Sequence, residues 1–428
     1  MHFYRDEILP NVYLTALKTD KFKTACLSAT LLTPLTRESA ASHASIPYIL
    51  RRGTASLPDM DALSARLDEL YGAKLEPTVT KLGEIHALGF RATFCEDQFL
   101  PGNTDLLEDM AQLLAEIWLR PNTKGGLFRP AYVESERDKL IQRIESAMND
   151  KTRYAVQRMI AKMCPYEEYA VGSLGDKHSA EDIHYIALTK DYRSILAASP
   201  MELFYCGSAD PKTVHRTLKN AFMTMSRGEI DEDLGTDIRM NTVEEDVRYF
   251  EEELDVTQGK LAVGFRLGEC MEYPDQAALL VFNALYGGSP ASRLFEHVRQ
   301  EKSLCYHVSS SLDIHKGILL ALAGIDFDRY DAALQEILAQ LDELKQGRFT
   351  GEELAAAKNY VADRYRGLCD GPVSLAEYYL GQTVLGLDYS PLELAALVED
   401  VTADEVIAIA QSVVCDAVYF LRGEEDEE

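Results

Sequence analysis

The stretch Tyr286-Gly-Gly-Ser-Pro-Ala-Ser-Arg-Leu-Phe295-Glu-His-Val-Arg299-Gln-Glu-Lys-Ser-Leu-Cys-Tyr306 packs a turn, a helix and the start of a strand into one short run. Gly287-Gly288 marks a tight turn, because glycine adopts left-handed backbone conformations without steric cost. Pro290 to Glu301 reads as a helix, and Tyr306 to Leu312 as a strand of alternating character. The paired glycines do not make a phosphate loop, since the Lys-Ser/Thr that would follow them is missing.

Upstream of this run, strand-like Lys260-Leu-Ala-Val-Gly-Phe265 and a helix at Pro274 to Leu285 come first, and the apolar Gly317-Ile-Leu-Leu-Ala-Leu-Ala-Gly324 comes after it. The N-terminal half has a similar inventory. Strand-like segments lie at Lys23 to Leu32, Ile85 to Phe94 and Met201 to Cys206, and helices are read at Ser39 to Leu50, Asp59 to Tyr71, Asp105 to Leu119, Ala131 to Asp150 and Tyr154 to Met163. Between the halves, Arg227 to Val247 is polar and aperiodic and reads as a linker. The expected organisation is α+β in two units: residues 1–230, a linker at 231–248, and residues 249–428.

Composition narrows the function classes. A chain of 428 residues exceeds the size at which a single core keeps growing. It contains no run of eighteen apolar residues that could cross a bilayer, and its start lacks the basic and apolar regions of a secretory signal, so a cytoplasmic location is expected. The formal charge of −27 disfavours nucleic acid and anionic membranes as partners and favours basic or neutral ones. Eight cysteines without a Cys-x-x-Cys pair read as reduced, buried thiols and not as a zinc cluster. Cys305, beside His307, is read the same way, because neighbouring strand residues face opposite sides. The acidic terminal run is expected to fray.

Two motif frames, one per half, resemble the insulinase/pitrilysin (M16) zinc metallopeptidases, and in particular their small bacterial processing-protease-like branch. The long C-terminal stretch is similar to that family's Gly-Gly…Ser-Arg-Leu-Phe…Arg-Glu-Lys…Leu-Ala-Tyr signature. In the N-terminal half, Tyr48-Ile-Leu-Arg-Arg-Gly53-Thr54 followed by Asp61-Ala-Leu-Ser-Ala-Arg-Leu-Asp-Glu-Leu-Tyr71 matches the segment that follows an inverted His-x-x-Glu-His motif. The resemblance implies two similar LuxS/metallohydrolase-like α/β domains, each an antiparallel-rich sheet covered by helices, together forming one half of a clamshell around a chamber. Tyr166-Glu-Glu-Tyr169…Gly172-Ser-Leu-Gly175 is similar to a further family segment and reads as structural.

Carried onto this sequence, the two metal-binding histidines fall on Ala44 and Tyr48, and the catalytic glutamate falls on Pro47. A methyl group, a neutral phenol and a proline ring cannot bind zinc or take a proton from its water. The assisting glutamate is kept as Glu136. The third ligand position falls on Arg143 or, with a two-residue shift, on Glu145. His43 cannot rescue the motif, because residue 47 is proline, and among the nine histidines no pair stands four apart.

The resemblance therefore implies a catalytically silent subunit, with no catalytic residue, metal ligand or cofactor of its own and with zinc held by an active partner. Arg299 and Tyr306 correspond to the family's substrate-binding Arg and Tyr. They are expected to bind a peptide if the helix ends between them and lets both reach one carbonyl or carboxylate. The implied partners are a peptide and a zinc-bearing M16 subunit, or a second copy of this chain. A stand-alone peptide-binding or scaffold protein, and a hydrolase with an unrecognised site, remain the alternatives.

Overall fold

A computed structural model describes residues 2–102, 104–230 and 234–423; the acidic run after Gly423 lies outside them. Two sheets organise the chain. The first contains β1 (His2–Leu9), β2 (Val12–Lys18), β3 (Thr24–Pro34), β4 (Lys74–Leu82), β5 (Ile85–Cys95) and β6 (Met201–Gly207), in the order β1-β2-β6-β3-β5-β4. The second contains β7 (Arg248–Leu254), β8 (Gly259–Arg266), β9 (His307–Asp313), β10 (Ile318–Ile325) and β11 (Val414–Gly423), in the order β9-β10-β8-β11-β7.

These sheets share a topology. Reading β2-β6-β3-β5-β4 against β7-β11-β8-β10-β9, the first pair in each is parallel and every later pair is antiparallel. The first sheet differs by one added edge strand, β1, paired antiparallel to β2. An α+β fold of two similar halves, expected from the restart of the sequence after residue 247, is what the chain forms.

Contacts divide the chain into two units that interleave in sequence. Unit 1 contains residues 1–145, 171–235 and 369–388, and unit 2 contains 146–170, 236–368 and 389–428. Two segments thus depart from a contiguous division at residues 231–248: 146–170 joins unit 2, and 369–388 joins unit 1. Within unit 2, helix α5 (Lys151–Met163) packs on β8 and β11; within unit 1, the helix Pro372–Leu385 packs on β3 and β6. By the strand correspondence above, these are equivalent positions on the two sheets. The apolar faces explain the placement. Ala155, Met159 and Met163 join Ala262, Leu320 and Tyr419 in one core. Leu375, Ala376 and Tyr379 join Leu17, Phe204 and Cys206 in another.

Local rules account for most helix boundaries. Asp59 caps α2 (Met60–Glu69) by accepting from the Ala62 amide at 2.8 Å. α3 (Leu106–Leu119) buries Met110, Leu114, Ile117 and Trp118 along one stripe. The two helices expected over 131–150 and 154–163 are both present with a shifted boundary: α4 (Pro130–Ser146) stops earlier, and Asp150 starts α5 earlier by accepting from the Thr152 and Arg153 amides. An Asp that satisfies two orphan amides favours a new helix start over continuation. Residues 225–230 and 234–247 carry no helix or strand, in keeping with the expected linker. Arg227, at its start, donates to the carbonyls of Leu196 and Ser199.

Candidate functional site

Helix α1 (Ala40–Leu50) follows β3 and carries the degenerate motif. Pro47 sits inside the helix, where it has no amide to offer the His43 carbonyl, at a cost of about 3 kcal/mol for an interior proline. Burial of Ile46, Ile49 and Leu50 in the core of unit 1 offsets that cost. Ala44 and Pro47 are buried, and Tyr48 is half-buried at the edge of a cavity of about 410 Å³.

The facing wall of that cavity is α4. Glu136, Lys139 and Arg143 stand three and four residues apart and therefore share one helix face. The Arg143 guanidinium lies over the Tyr48 ring with its central carbon 3.8 Å from the ring centroid. Glu136, only 4% exposed, accepts from Lys139 Nζ at 2.8 Å and from Arg52 Nη1 at 3.1 Å, with Arg143 Nη2 at 3.8 Å. Arg51, Arg91 and Glu76 complete the charged lining.

This arrangement does not fit a divalent metal ion. A cation at the motif position would meet the Arg143 guanidinium within a few ångströms, with repulsion of several kcal/mol even at an effective dielectric near 20. The one buried carboxylate there is already shared among three cations. Of the two counterparts for the third ligand, Arg143 faces the motif helix. Glu145 instead pairs with Lys177 at 2.6 Å and is not part of the cavity lining.

His43 points elsewhere. Its ring stacks 6.4 Å from that of fully buried His86, and its Nδ1 lies 3.5 Å from Thr33 Oγ1. Burial lowers the pKa of His43 to about 4; burial first, and the neighbouring His43 next, lowers that of His86 to about 3. Both are neutral at physiological pH. One further grouping of metal-type side chains, Glu296, His297 and Glu353, occurs among the described residues. It offers a single histidine, which Glu301 already engages at 2.7 Å, while Glu353 pairs with Arg293 at 2.7 Å.

In unit 2, the residues after the expected helix form two helical segments of π type, Ala284–Gly288 and Leu294–Glu301, where an ordinary helix over 290–301 was expected. A Cβ on Gly287 would lie 2.7 Å from Ser310 Oγ and 2.8 Å from the Ser310 amide. Gly287 therefore lets this segment close onto β9, while a Cβ on Gly288 would lie 2.6 Å from Asn283 Nδ2. The chain then reverses at Ser303 (φ 52°) before β9 begins.

Arg299 and Tyr306 flank that reversal, and both are exposed. Their contacts are separate. Arg299 lies over the Phe295 ring at 5.0 Å, and the Tyr306 hydroxyl donates to Asp326 at 3.1 Å. The hydrogen bond to Asp326 raises the Tyr306 pKa, so the phenol stays protonated and able to donate. Burial pushes the Cys305 thiol up to about 11, which removes it as a nucleophile at neutral pH.

Sequence reasoning missed the charged partners of both sites. Lys139 and Arg52 were visible beside the motif, yet nothing local says that they converge on Glu136. Asp326 lies twenty residues from Tyr306 and reaches it only through the pairing of β9 with β10.

Comparisons with known proteins decide the family. The chain is 34% identical over 411 residues to the "Probable inactive metalloprotease YmfF" of Bacillus subtilis (strain 168), covering 96% of this chain and 95% of that protein. The family description "Peptidase M16 inactive domain" matches residues 183–361. The chain belongs to the M16 peptidase family. A crystal structure of a conserved protein from Enterococcus faecalis V583 superimposes with a TM-score of 0.89 at 24% identity over the whole of both chains. That of a peptidase M16 inactive domain from Pseudomonas fluorescens does so at 0.80 and 15% identity, covering 99% of each chain. This chain is an inactive M16 peptidase homologue, and the cavity beside α1 is lined by cations that a divalent metal would meet. No helix among its described residues is long and apolar enough to cross a membrane.

Proposed function

We propose that this M16 homologue is the non-catalytic subunit of a heteromeric zinc peptidase: it holds peptide substrate and completes the chamber of a partner that carries zinc. The observation that carries this reading is a contrast between its two motifs. The metal position is filled by Tyr48, Arg143 and their ion pairs, while the Arg and Tyr of the substrate motif stand exposed on either side of a chain reversal. Arg299, steadied by Phe295, can donate to a peptide carbonyl or carboxylate, and Tyr306, 60% exposed, can do so by turning its one O–H away from Asp326. The strongly negative chain would attract peptides with basic residues and repel nucleic acid. Cytoplasmic residence and a one-to-one complex with a homologous zinc-bearing subunit complete the reading, with a homodimer as the simpler assembly.

The test is reconstitution with a zinc-bearing M16 subunit and a mixed-sequence peptide. Arg299→Ala should lower kcat/KM by about one to two decades, the worth of a charge-assisted hydrogen bond of about 1.5–3 kcal/mol. If the Arg299 contact is equal in ground and transition states, the loss falls in KM; if it aligns the scissile bond, kcat falls as well. Full activity of an Arg299→Ala, Tyr306→Phe double variant that still assembles would refute the substrate-holding role. Unaltered peptidase activity of the partner with this chain omitted would refute the subunit reading itself.

A further inference from the structure

We propose that the cavity between α1 and α4 is an anion-binding site that takes a small oxyanion of the carboxylate or phosphate class. Five cationic side chains line it: Arg51, Arg52, Arg91, Lys139 and Arg143. Three carboxylates answer them, Glu136 from within, Glu76 at the wall and Glu377, which takes one branch of Arg91. Positive charge is thus in excess at one spot of a chain whose formal charge is −27. Like charges held together without a counter-ion repel one another, and a bound anion removes that cost.

The cations are also fixed in place. Arg143 lies on the Tyr48 ring, Arg52 lies over the Tyr132 ring at 5.0 Å, and Arg51 donates from Nε to the Leu75 carbonyl at 3.1 Å. The ring contacts take one face of the Arg143 and Arg52 guanidiniums, and the Leu75 contact takes only Nε of Arg51, whose terminal nitrogens can donate to a ligand. Planar forks held by stacking match the paired oxygens of a carboxylate or phosphate, and their ordering cost is met before binding. Arg91 on β5 and Lys139 and Arg143 on α4 sit on regular structure, with Arg51 and Arg52 in the turn that ends α1, and a volume of about 410 Å³ admits a small anionic group with its water. The site where relatives of this fold would hold a cation thus has the opposite preference. The proposal does not depend on the substrate-holding role of Arg299 and Tyr306, because those residues lie in unit 2.

Isothermal titration of the full-length chain at constant ionic strength tests it. The probes are inorganic phosphate and a short neutral peptide with either a free or an amidated C-terminus. Saturable binding of phosphate, or of the free-acid peptide in preference to the amide, is expected, and whichever binds identifies the source of the oxyanion. Arg143→Gln should weaken that binding by about ten- to a hundredfold, from the strength of a charge-assisted bond. Lys139→Gln removes a part-exposed cation and should weaken it several-fold, while Lys219→Gln, which removes an exposed cation outside the cavity lining, should leave it unchanged. Absence of binding by both anions up to millimolar concentration overturns the proposal, as does equal affinity in the wild type, Lys139→Gln and Arg143→Gln.

Discussion

Two glutamates, one in each unit, gather several cations around them, and their surroundings make one a site and the other a staple. Glu136 in unit 1 faces a cavity open to solvent, with Lys139 and Arg143 each about a third to a half exposed. Glu167 in unit 2 faces no solvent. It accepts from both terminal nitrogens of Arg266, at 2.6 and 3.0 Å, and lies 2.8 Å from Lys316 Nζ; Arg266 and Lys316 are both fully buried. Arg266 Nε also donates to Asp416 at 2.9 Å, and Asp416 pairs with Arg248 in turn. Here the charges use their capacity on one another, tying residues 146–170 to β8 and β11 next to the core that receives α5. Around Glu136 the cations exceed what one carboxylate can satisfy. A dry network fixes structure, whereas an open one with positive charge in excess can bind.

The largest expected effect breaks the staple. Arg266→Met leaves Glu167 and Asp416 short of a buried partner, and removing one member of a buried ion cluster costs about 3–5 kcal/mol. Urea denaturation should show that loss, and a loss under about 1 kcal/mol would mean that the cluster is no staple.

A second effect, smaller than the first over the first pH unit below about 6.5, separates the units by acid. His43 and His86 of unit 1 have folded pKa values lowered by burial, so the neutral form favours the folded state and its stabilisation is complete above the unfolded value of about 6.5. As pH falls below that value, the unfolded chain takes up protons that the folded one refuses, and stability drops by up to about 1.4 kcal/mol per pH unit for each histidine, down to the folded values near 4 and 3. Glu167 titrates lower: burial alone would raise it, but Arg266 and Lys316 hold it near 2, so its stabilisation persists down to about pH 4.5 and is lost between there and 2. Denaturation midpoints should therefore begin to fall between pH 6.5 and 5. A profile flat to 4.5 would contradict the histidine assignment.

The smallest effect is at the open site. Arg143→Gln removes a part-exposed ion pair and a ring contact, which together should change stability by about 1 kcal/mol or less. A loss as large as that of Arg266→Met would erase the distinction between the two clusters.

Much of this was legible in the sequence, and the remainder was hidden for identifiable reasons. The motif frames around Tyr48 and Arg299 gave the family, because substitutions at Ala44, Pro47 and Tyr48 left the flanking pattern intact. Strand and helix periodicity placed β3, β5, α1 and α3 to within about two residues of their observed ends. The β1–β2 hairpin went unread, since its strands carry charged residues on the exposed edge of the sheet. The exchange of α5 and Pro372–Leu385 was hidden for a different reason. Amphipathicity says that a helix needs an apolar partner, but not which of two similar sheets provides it. The clusters around Glu136 and Glu167 were the least legible, because Arg52 reaches Glu136, and Arg266 reaches Glu167 and Asp416, from parts of the chain distant in sequence.

The central claim, that the metal position of this M16 homologue now excludes cations, is tested most directly by the zinc content of the purified chain. After dialysis against buffered micromolar zinc, elemental analysis should find well below one zinc per chain, with the same value for the wild type and a Tyr48→Phe variant. One tightly held zinc per chain, lost on mutation of Tyr48 or Glu136, would contradict the account.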